Sequence, residues 1–202
     1  MPRKRKPIPV KVTVKRKKDL DRVNAMKAKK HNVFPTTSLT IKEELDFLKK
    51  VLRKYRSKID VAVELGCYAG GTSVEILAAL KNTATLYCVD SFVVNGEDAR
   101  AVFTEQVLPR LKNIELIEKP VHDAAPEFNR SIDFLLVDAD HQDHSIQEDC
   151  ADWLPKIRSG GIVAFHDYEH PHFPCIAPRV EEVTKDWKKL GVEGHLMIKI
   201  KP

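Results

Sequence analysis

The sequence lacks the features that would place this chain in a membrane or stabilise it by cross-links. Its four cysteines, Cys67, Cys88, Cys150 and Cys175, are widely spaced with no C-x-x-C pair, and a chain of 202 residues does not depend on disulfides to fold. Reduced thiols in a cytoplasmic compartment are the expectation. No apolar run approaches the ~20 residues that a bilayer span requires. The opening MPRKRKPIPVKV has charge but no apolar stretch, so no secretory signal is expected. Apolar side chains make up 43% of the chain, which excludes wholesale disorder.

What is present is uneven in charge. Residues 1–31 hold thirteen Lys and Arg against Asp19 and Asp21, a net of +11, while the remainder carries −6. Three early prolines and few large apolar residues predict a disordered basic arm over 1–31, ahead of one compact domain over 32–202. Such an arm suits counterion-releasing contact with nucleic acid or another anionic surface, or a nuclear localisation signal in a eukaryote; a merely solubilising tail is the plain alternative. No aromatic residue interleaves the arm to stack bases.

The body alternates strand and helix patterns. Thr40 and Glu43 have capping-box spacing and open a segment with Ile41, Leu45, Leu48, Val51, Leu52 and Tyr55 at helical intervals. Apolar strand runs follow at 59–65, 84–89, 114–117, 132–137, 162–165 and 195–200, with a further short one near Val192. Helices are predicted over 72–80, 98–111 (where Pro109 should end or kink it), 145–157 and 179–190, and Gly160-Gly161 reads as a loop. Strands that are apolar throughout, separated by helices, indicate an α/β, Rossmann-like doubly wound and mostly parallel sheet. Ligands of such sheets sit beyond the carboxyl ends of the strands, so residues just after strands matter most.

The exit of the first strand reads VELGCYAGGTS, residues 63–73. Its glycines allow a tight turn and close approach of backbone N–H groups to a ligand. The Gly-x-x-x-Gly-Gly spacing is not the nicotinamide fingerprint, and no Walker lysine is present. Glu64 would repel a pyrophosphate and suits a positively charged ligand, while Asp90 ends the second strand where ribose hydroxyls bind. A cationic nucleoside without phosphates is implied, a description that S-adenosylmethionine meets.

A second constellation follows later strands. Asp138, Asp140 and His141 leave the fourth strand, and His166 and Asp167 leave the fifth. Neighbouring parallel strands lie about 4.8 Å apart, so both groups can converge on one ion. Carboxylates with imidazole suit Mg²⁺ or another divalent ion better than a closed structural zinc site. The alternative is that Asp138 and Asp167 cap their strands and His166 hydrogen-bonds within the fold. Five of the eight histidines fall within 141–172, and HPHFPC (170–175) reads as a lid over this edge, where Cys175 could add a soft ligand.

VELGCYAGGTS followed by LYCVDSF resembles the cofactor motifs of class I S-adenosylmethionine-dependent methyltransferases. Residues 131–168, with DADH after the fourth strand and HDY after the fifth, are similar to a narrower group of metal-dependent sugar O-methyltransferases and cephalosporin-hydroxylase-like proteins. The resemblance spans about 40–200 and leaves the arm outside. It implies that Glu64, Gly66 and Gly70 contact the methionine moiety, with Thr72 and Ser73 at the helix start. Asp90 would hold the ribose, Ser91 and Phe92 would lie beside the adenine, and His122 would reach the adenine ring. Asp138, His166 and Asp167 would hold the metal, although the sugar methyltransferases usually carry aspartate where His166 stands. Asp140 would be the base, with His141 the other candidate.

No [D/N/S]-P-P-[Y/F] follows the fourth strand and no Pro-Cys nucleophile occurs there, which argues against methylation of DNA amines or cytosine carbon. Oxygen methylation of a small molecule, with a sugar among the options, is the first expectation. The others are a nucleic-acid or protein acceptor docked by the arm, and a binding fold with different chemistry. The domain leaves little room for a separate substrate module, so the acceptor pocket must come from residues 32–57, 91–98 and the HPHFPC lid, or from a second subunit of a homo-oligomer.

Overall fold

Ile132–Val137 is buried along its whole length, as a strand covered on both faces must be. In the computed structural model, which describes residues 38–93 and 96–202, this strand is β4 at the centre of a seven-stranded sheet ordered β3-β2-β1-β4-β5-β7-β6. The other strands are β1 (Val61–Leu65), β2 (Thr85–Val89), β3 (Ile114–Ile117), β5 (Ile157–Phe165), β6 (Lys188–Glu193) and β7 (Leu196–Ile200). The first five pair in parallel, and β7 runs antiparallel to both β5 and β6. The doubly wound α/β prediction is thereby met. The disordered-arm expectation lies outside the described residues.

Period-two alternation divides the core into two layers. Ala62, Leu86, Phe134, Leu136, Ile162 and Ile198 face α1 (Lys42–Tyr55) and α2 (Gly71–Ala79) on one side. Val63, Val89, Leu135, Val137, Val163 and Met197 face α5 (Asp143–Trp153) and α6 (Ile176–Val183) on the other. Between β2 and β3 lies α3 (Gly96–Ala101), and between β3 and β4 the single turn α4 (Val121–Ala124). Asp133 is the one acid inside β4. It accepts N–H bonds from Asp60 (2.8 Å) and Val61 (2.9 Å) and pairs with Arg158, tying the start of β1 to β4 and β5. Among the described residues no helix is long and apolar enough to cross a membrane.

Four local expectations are corrected. The N-cap of α1 is Ile41 rather than Thr40, and Glu44 rather than Glu43 accepts the Ile41 N–H (3.3 Å). Thr40 is engaged elsewhere, its hydroxyl 3.4 Å from that of Thr72. The helix predicted over 98–111 stops as α-helix at Ala101 and continues as a π turn (Val102–Val107) and a 3-10 turn containing Pro109. The wider turn seats Phe103 and Val107 in the core beside Gly70. Gly160-Gly161 lies within β5 at an irregular register, because Ile157 already pairs with Ile132. Finally, α6 ends at Val183, and residues 188–190, predicted helical, form β6 because β7 offers them a ladder.

Candidate active site

The carboxyl ends of β1, β2, β4 and β5 meet along one edge, and successive tips are stitched together by backbone hydrogen bonds. Gly66 N–H donates to Val89 O (2.9 Å), Asp138 N–H to Leu65 O (3.0 Å) and His166 N–H to Val137 O (3.1 Å). Non-glycine residues with positive φ cluster here: Tyr68, Phe92, Asp167 and Glu169. Backbone in that region costs roughly 1–3 kcal/mol per residue and persists where surrounding contacts enforce it.

At the β1 exit, Gly66 has φ +83° and its Cα abuts the backbone of Asp138 and Ala139, leaving no space for a Cβ. Gly70, also at φ +83°, caps α2 against Phe103. Beneath this loop Glu64 is 1% exposed and its Oε2 accepts from Ser73 Oγ (2.5 Å) and Cys88 Sγ (3.4 Å). Burial pushes its carboxyl up to about 8, against the pull of those two donors. Its Oε1 is buried and has no partner. Asp90 accepts from Tyr68 N–H (2.9 Å) and Phe92 N–H (2.7 Å), so it orders the loops after both β1 and β2.

Some cofactor candidates stand further from solvent than their spacing suggested. Ser73 is fully buried on Glu64, and the Thr72 hydroxyl bonds Ser38 (2.7 Å). Phe92 turns its ring into the core near Phe103 (6.0 Å), while Ser91 Oγ receives the Val93 N–H at 3.4 Å. His122 lies at the surface on α4, with Nδ1 2.6 Å from Asp152 of α5. The structure therefore groups Glu64, Gly66, Gly70 and Asp90, while the contact of His122 is with Asp152.

The second constellation does converge. Asp138, His141 and Asp167 each present one donor atom, and all three lie within 4.8 Å of one another. His141 Nε2 is 2.6 Å from Asp167 Oδ2 and 3.8 Å from Asp138 Oδ1, yet this buried nitrogen makes no aligned hydrogen bond. His166 Nδ1 stands 3.2 Å from Asp138 Oδ1 and 3.1 Å from Asp167 Oδ2. Two carboxylates and a half-buried imidazole with donor atoms this close fit a divalent ion that accepts oxygen and nitrogen ligands.

Without an ion the charges compensate internally. The carboxylates of Asp138 and Asp167 beside its ring raise His141 to about 9. Burial opposes charging of His166, but the same carboxylates prevail and raise it to about 11. Asp167, despite burial, is held well below the usual carboxylate range by His141 and His166. Stabilisation by a raised imidazole is complete below the unfolded value of about 6.5 and fades as pH climbs through the folded value. For His141 the fading ends near 9. The depressed Asp167 works the other way, its contribution present above the usual carboxylate pKa and lost as pH falls. His141→Gln is therefore expected to lower the Tm of the metal-free protein most at about pH 5–6, the difference shrinking from about pH 6.5 and small above about pH 9. Paired thermal melts across that range check it, and a difference independent of pH contradicts it.

Asp140, the sequence's candidate base, is exposed and structural in its contacts. It accepts from Ser145 Oγ (2.6 Å) and the His141 N–H (2.7 Å), and although burial opposes them these bonds hold it below its ordinary pKa. The HPHFPC segment does cover the edge: Phe173 stacks on His141 at 4.3 Å, and Cys175 Sγ donates to His141 O (3.4 Å). Glu44 was not anticipated. Its side chain is 3% exposed and Oε2 lies 3.2 Å from His166 Nε2. Nothing in the α1 pattern distinguishes it from its exposed neighbour Glu43, and its partner is 122 residues away.

Comparisons with known proteins agree with this fold. A Staphylococcus aureus protein, a candidate caffeoyl-CoA O-methyltransferase, superposes with a TM-score of 0.65 at 12% identity, covering 92% of this chain and 90% of that one. The MycE methyltransferase of the mycinamycin biosynthetic pathway, solved with Mg, SAH and mycinamycin VI, gives 0.55 at 15% identity, over 77% of this chain and 48% of that one. A protein of Acanthamoeba polyphaga mimivirus, R132, itself uncharacterized, is 25% identical over 134 residues. That match takes in 61% of this chain and 59% of the viral protein, so the chain spans less than two thirds of that relative. A family model described as a methyltransferase domain matches residues 63–168, from the middle of β1 to just past the β5 tip and more than half of the sequence. The chain thus belongs to the methyltransferase-domain family, and its sheet has the fold of the solved methyltransferases to which it is similar.

Proposed function

We propose that this methyltransferase acts on a hydroxyl oxygen of a small molecule, with a divalent ion held by Asp138, His141 and Asp167. The observation that carries the reading is adjacency: the glycine loop of β1 packs directly on the backbone of Asp138 and Ala139, so donor and acceptor sites share a wall. S-adenosylmethionine supplies a sulfonium methyl group, whose transfer is an in-line displacement governed largely by positioning. The buried, unpartnered Oε1 of Glu64 is a free acceptor beneath the loop that such a ligand would occupy. Asp90, with both oxygens already fixed by backbone N–H groups, keeps lone pairs for ribose hydroxyls.

A bound divalent ion lowers the pKa of an aliphatic hydroxyl, which is otherwise a poor nucleophile near neutrality. Asp138 and Asp167 orient that hydroxyl at the strand tips, and the Phe173 ring over His141 keeps water from one side. Asp140 shapes the loop through Ser145, and the hydroxyl proton passes to a carboxylate oxygen of Asp138, which orients that hydroxyl. MycE, the neighbour solved with Mg, supports the ion, and the S. aureus candidate O-methyltransferase supports oxygen as the acceptor atom.

The test is accumulation of S-adenosylhomocysteine from the full chain with pools of hydroxylated small molecules, with and without chelator. Turnover that chelator reduces at least about tenfold and Mn²⁺ or Mg²⁺ restores is expected; an undiminished rate in chelator contradicts the metal. A nucleic-acid acceptor is the second reading, favoured by the +11 charge of residues 1–31. Product formed with RNA alone, and lost when that segment is deleted, would decide for it.

A further inference from the structure

Glu44 lies on the first turn of α1, away from every motif that the resemblance carries. A carboxylate with 3% of its side chain exposed is costly unless its oxygens are used, and here both are. Oε1 accepts the His195 N–H at 2.7 Å, in the turn joining β6 to β7. Oε2 accepts the Ile41 N–H at 3.3 Å and faces His166 Nε2 at 3.2 Å. The other end of that ring, Nδ1, faces Asp138 and Asp167. One imidazole is thus held between a buried carboxylate behind it and the ligand cluster before it.

We infer that Glu44 is a positioning residue of the site: it holds the His166 ring through Nε2 and so presents Nδ1 to Asp138 and Asp167. Imidazoles at metal sites commonly donate their second N–H to a carboxylate, which fixes the tautomer and ring plane. Glu44 has the geometry for this role, and its bonds to Ile41 and His195 fix it in turn from α1 and from the hairpin. With the carboxylate in place Nε2 carries hydrogen, and the ring cannot rotate about its Cβ–Cγ bond without losing that bond. A glutamine there offers Nε2–H only a neutral carbonyl acceptor, a weaker hold on the ring. The inference rests on the donor set proposed above.

The experiment combines ring spectroscopy with a double-mutant cycle on the full chain. Long-range ¹H–¹⁵N correlations of the histidine side chains are compared between wild type and Glu44→Gln, without metal. The His166 pattern is expected to change at Nε2, which loses its carboxylate partner. Mn²⁺ affinity is then measured for wild type, Glu44→Gln, His166→Asn and the double variant. Glu44→Gln is expected to weaken Mn²⁺ by about 10–100-fold alone and by less than about twofold in the His166→Asn background, because the two act as one unit. S-adenosylmethionine affinity and the Tm of Glu43→Gln serve as unmoved references. An equal loss in both backgrounds, or an unchanged His166 pattern, overturns the inference and assigns Glu44 only to the hairpin. Should Glu44→Gln fail to fold, Glu44→Asp, which withdraws the carboxylate from the ring and keeps its charge, is read in the same way. A wild-type chain that takes no Mn²⁺ defeats the donor set, and the ring correlations then decide Glu44 on their own.

Discussion

Asp138→Asn is expected to reduce turnover by about 10²–10³-fold while leaving S-adenosylmethionine affinity within about threefold of wild type. The substitution keeps the shape and hydrogen-bonding span of the side chain and removes its charge. Asp138 Oδ1 lies 3.2 Å from His166 Nδ1 and 3.8 Å from His141 Nε2, second in each case to Asp167 Oδ2. Without that charge the donor group has a single carboxylate against two imidazoles, too little to draw a divalent ion from water. Cofactor affinity should hold because Asp138 meets the glycine loop through its backbone carbonyl, which asparagine retains. Steady-state rates with calorimetric titration of the cofactor separate these effects. Equal losses in affinity and rate would move Asp138 from the acceptor side to the cofactor side.

Gly66→Ala should have the larger effect on the protein as a whole. The residue adopts φ +83°, and an added Cβ would run into the carbonyl of Asp138 and the Cα of Ala139. Both obstacles are backbone, and that backbone is fixed by the Asp138 N–H bond to Leu65 O (3.0 Å), so neither can give way cheaply. Left-handed backbone and overpacking each cost roughly 1–3 kcal/mol, so a loss of about 2–6 kcal/mol is expected, with cofactor binding abolished. Gly160→Ala is the control. It has a similar φ of +74°, but its Cβ would meet only the end of the flexible Arg158 side chain at 3.4 Å. Urea unfolding of both variants checks the contrast, and equal losses would mean that φ alone, not the packed strand tips, sets the cost.

The elements that could be read from the sequence are those whose burial is written into consecutive residues. Ile114–Ile117 and Ile132–Val137 have the predicted limits because apolar runs bounded by polar residues leave little choice of register. The strand tips were equally legible, since a parallel sheet assigns chemistry to the residues just past each strand, and Asp138, His141, His166 and Asp167 do meet there. What escaped is polar burial that depends on distant partners. Glu44 and Glu43 are alike in composition, yet one is enclosed by His166 and His195 while the other is exposed. Asp140 looked like a base beside His141, but a local turn with Ser145 claims its carboxylate. Phe92 follows the second strand as the resemblance has it, and its ring is buried near Phe103. A motif gives position along the chain, and only the fold says which way each side chain turns.

The division of labour along one sheet edge is the central claim: the β1 loop holds the cofactor, and the β4 and β5 tips hold the ion and the acceptor oxygen. Calorimetric titration of S-adenosylmethionine into wild type, Asp138→Asn and Gly66→Ala tests it most directly. The account predicts one equivalent bound by the first two with similar affinity, and none by the third. Folded wild-type protein that gives no binding heat and no competition with S-adenosylhomocysteine, or a Gly66→Ala chain that binds as well as wild type, would contradict it.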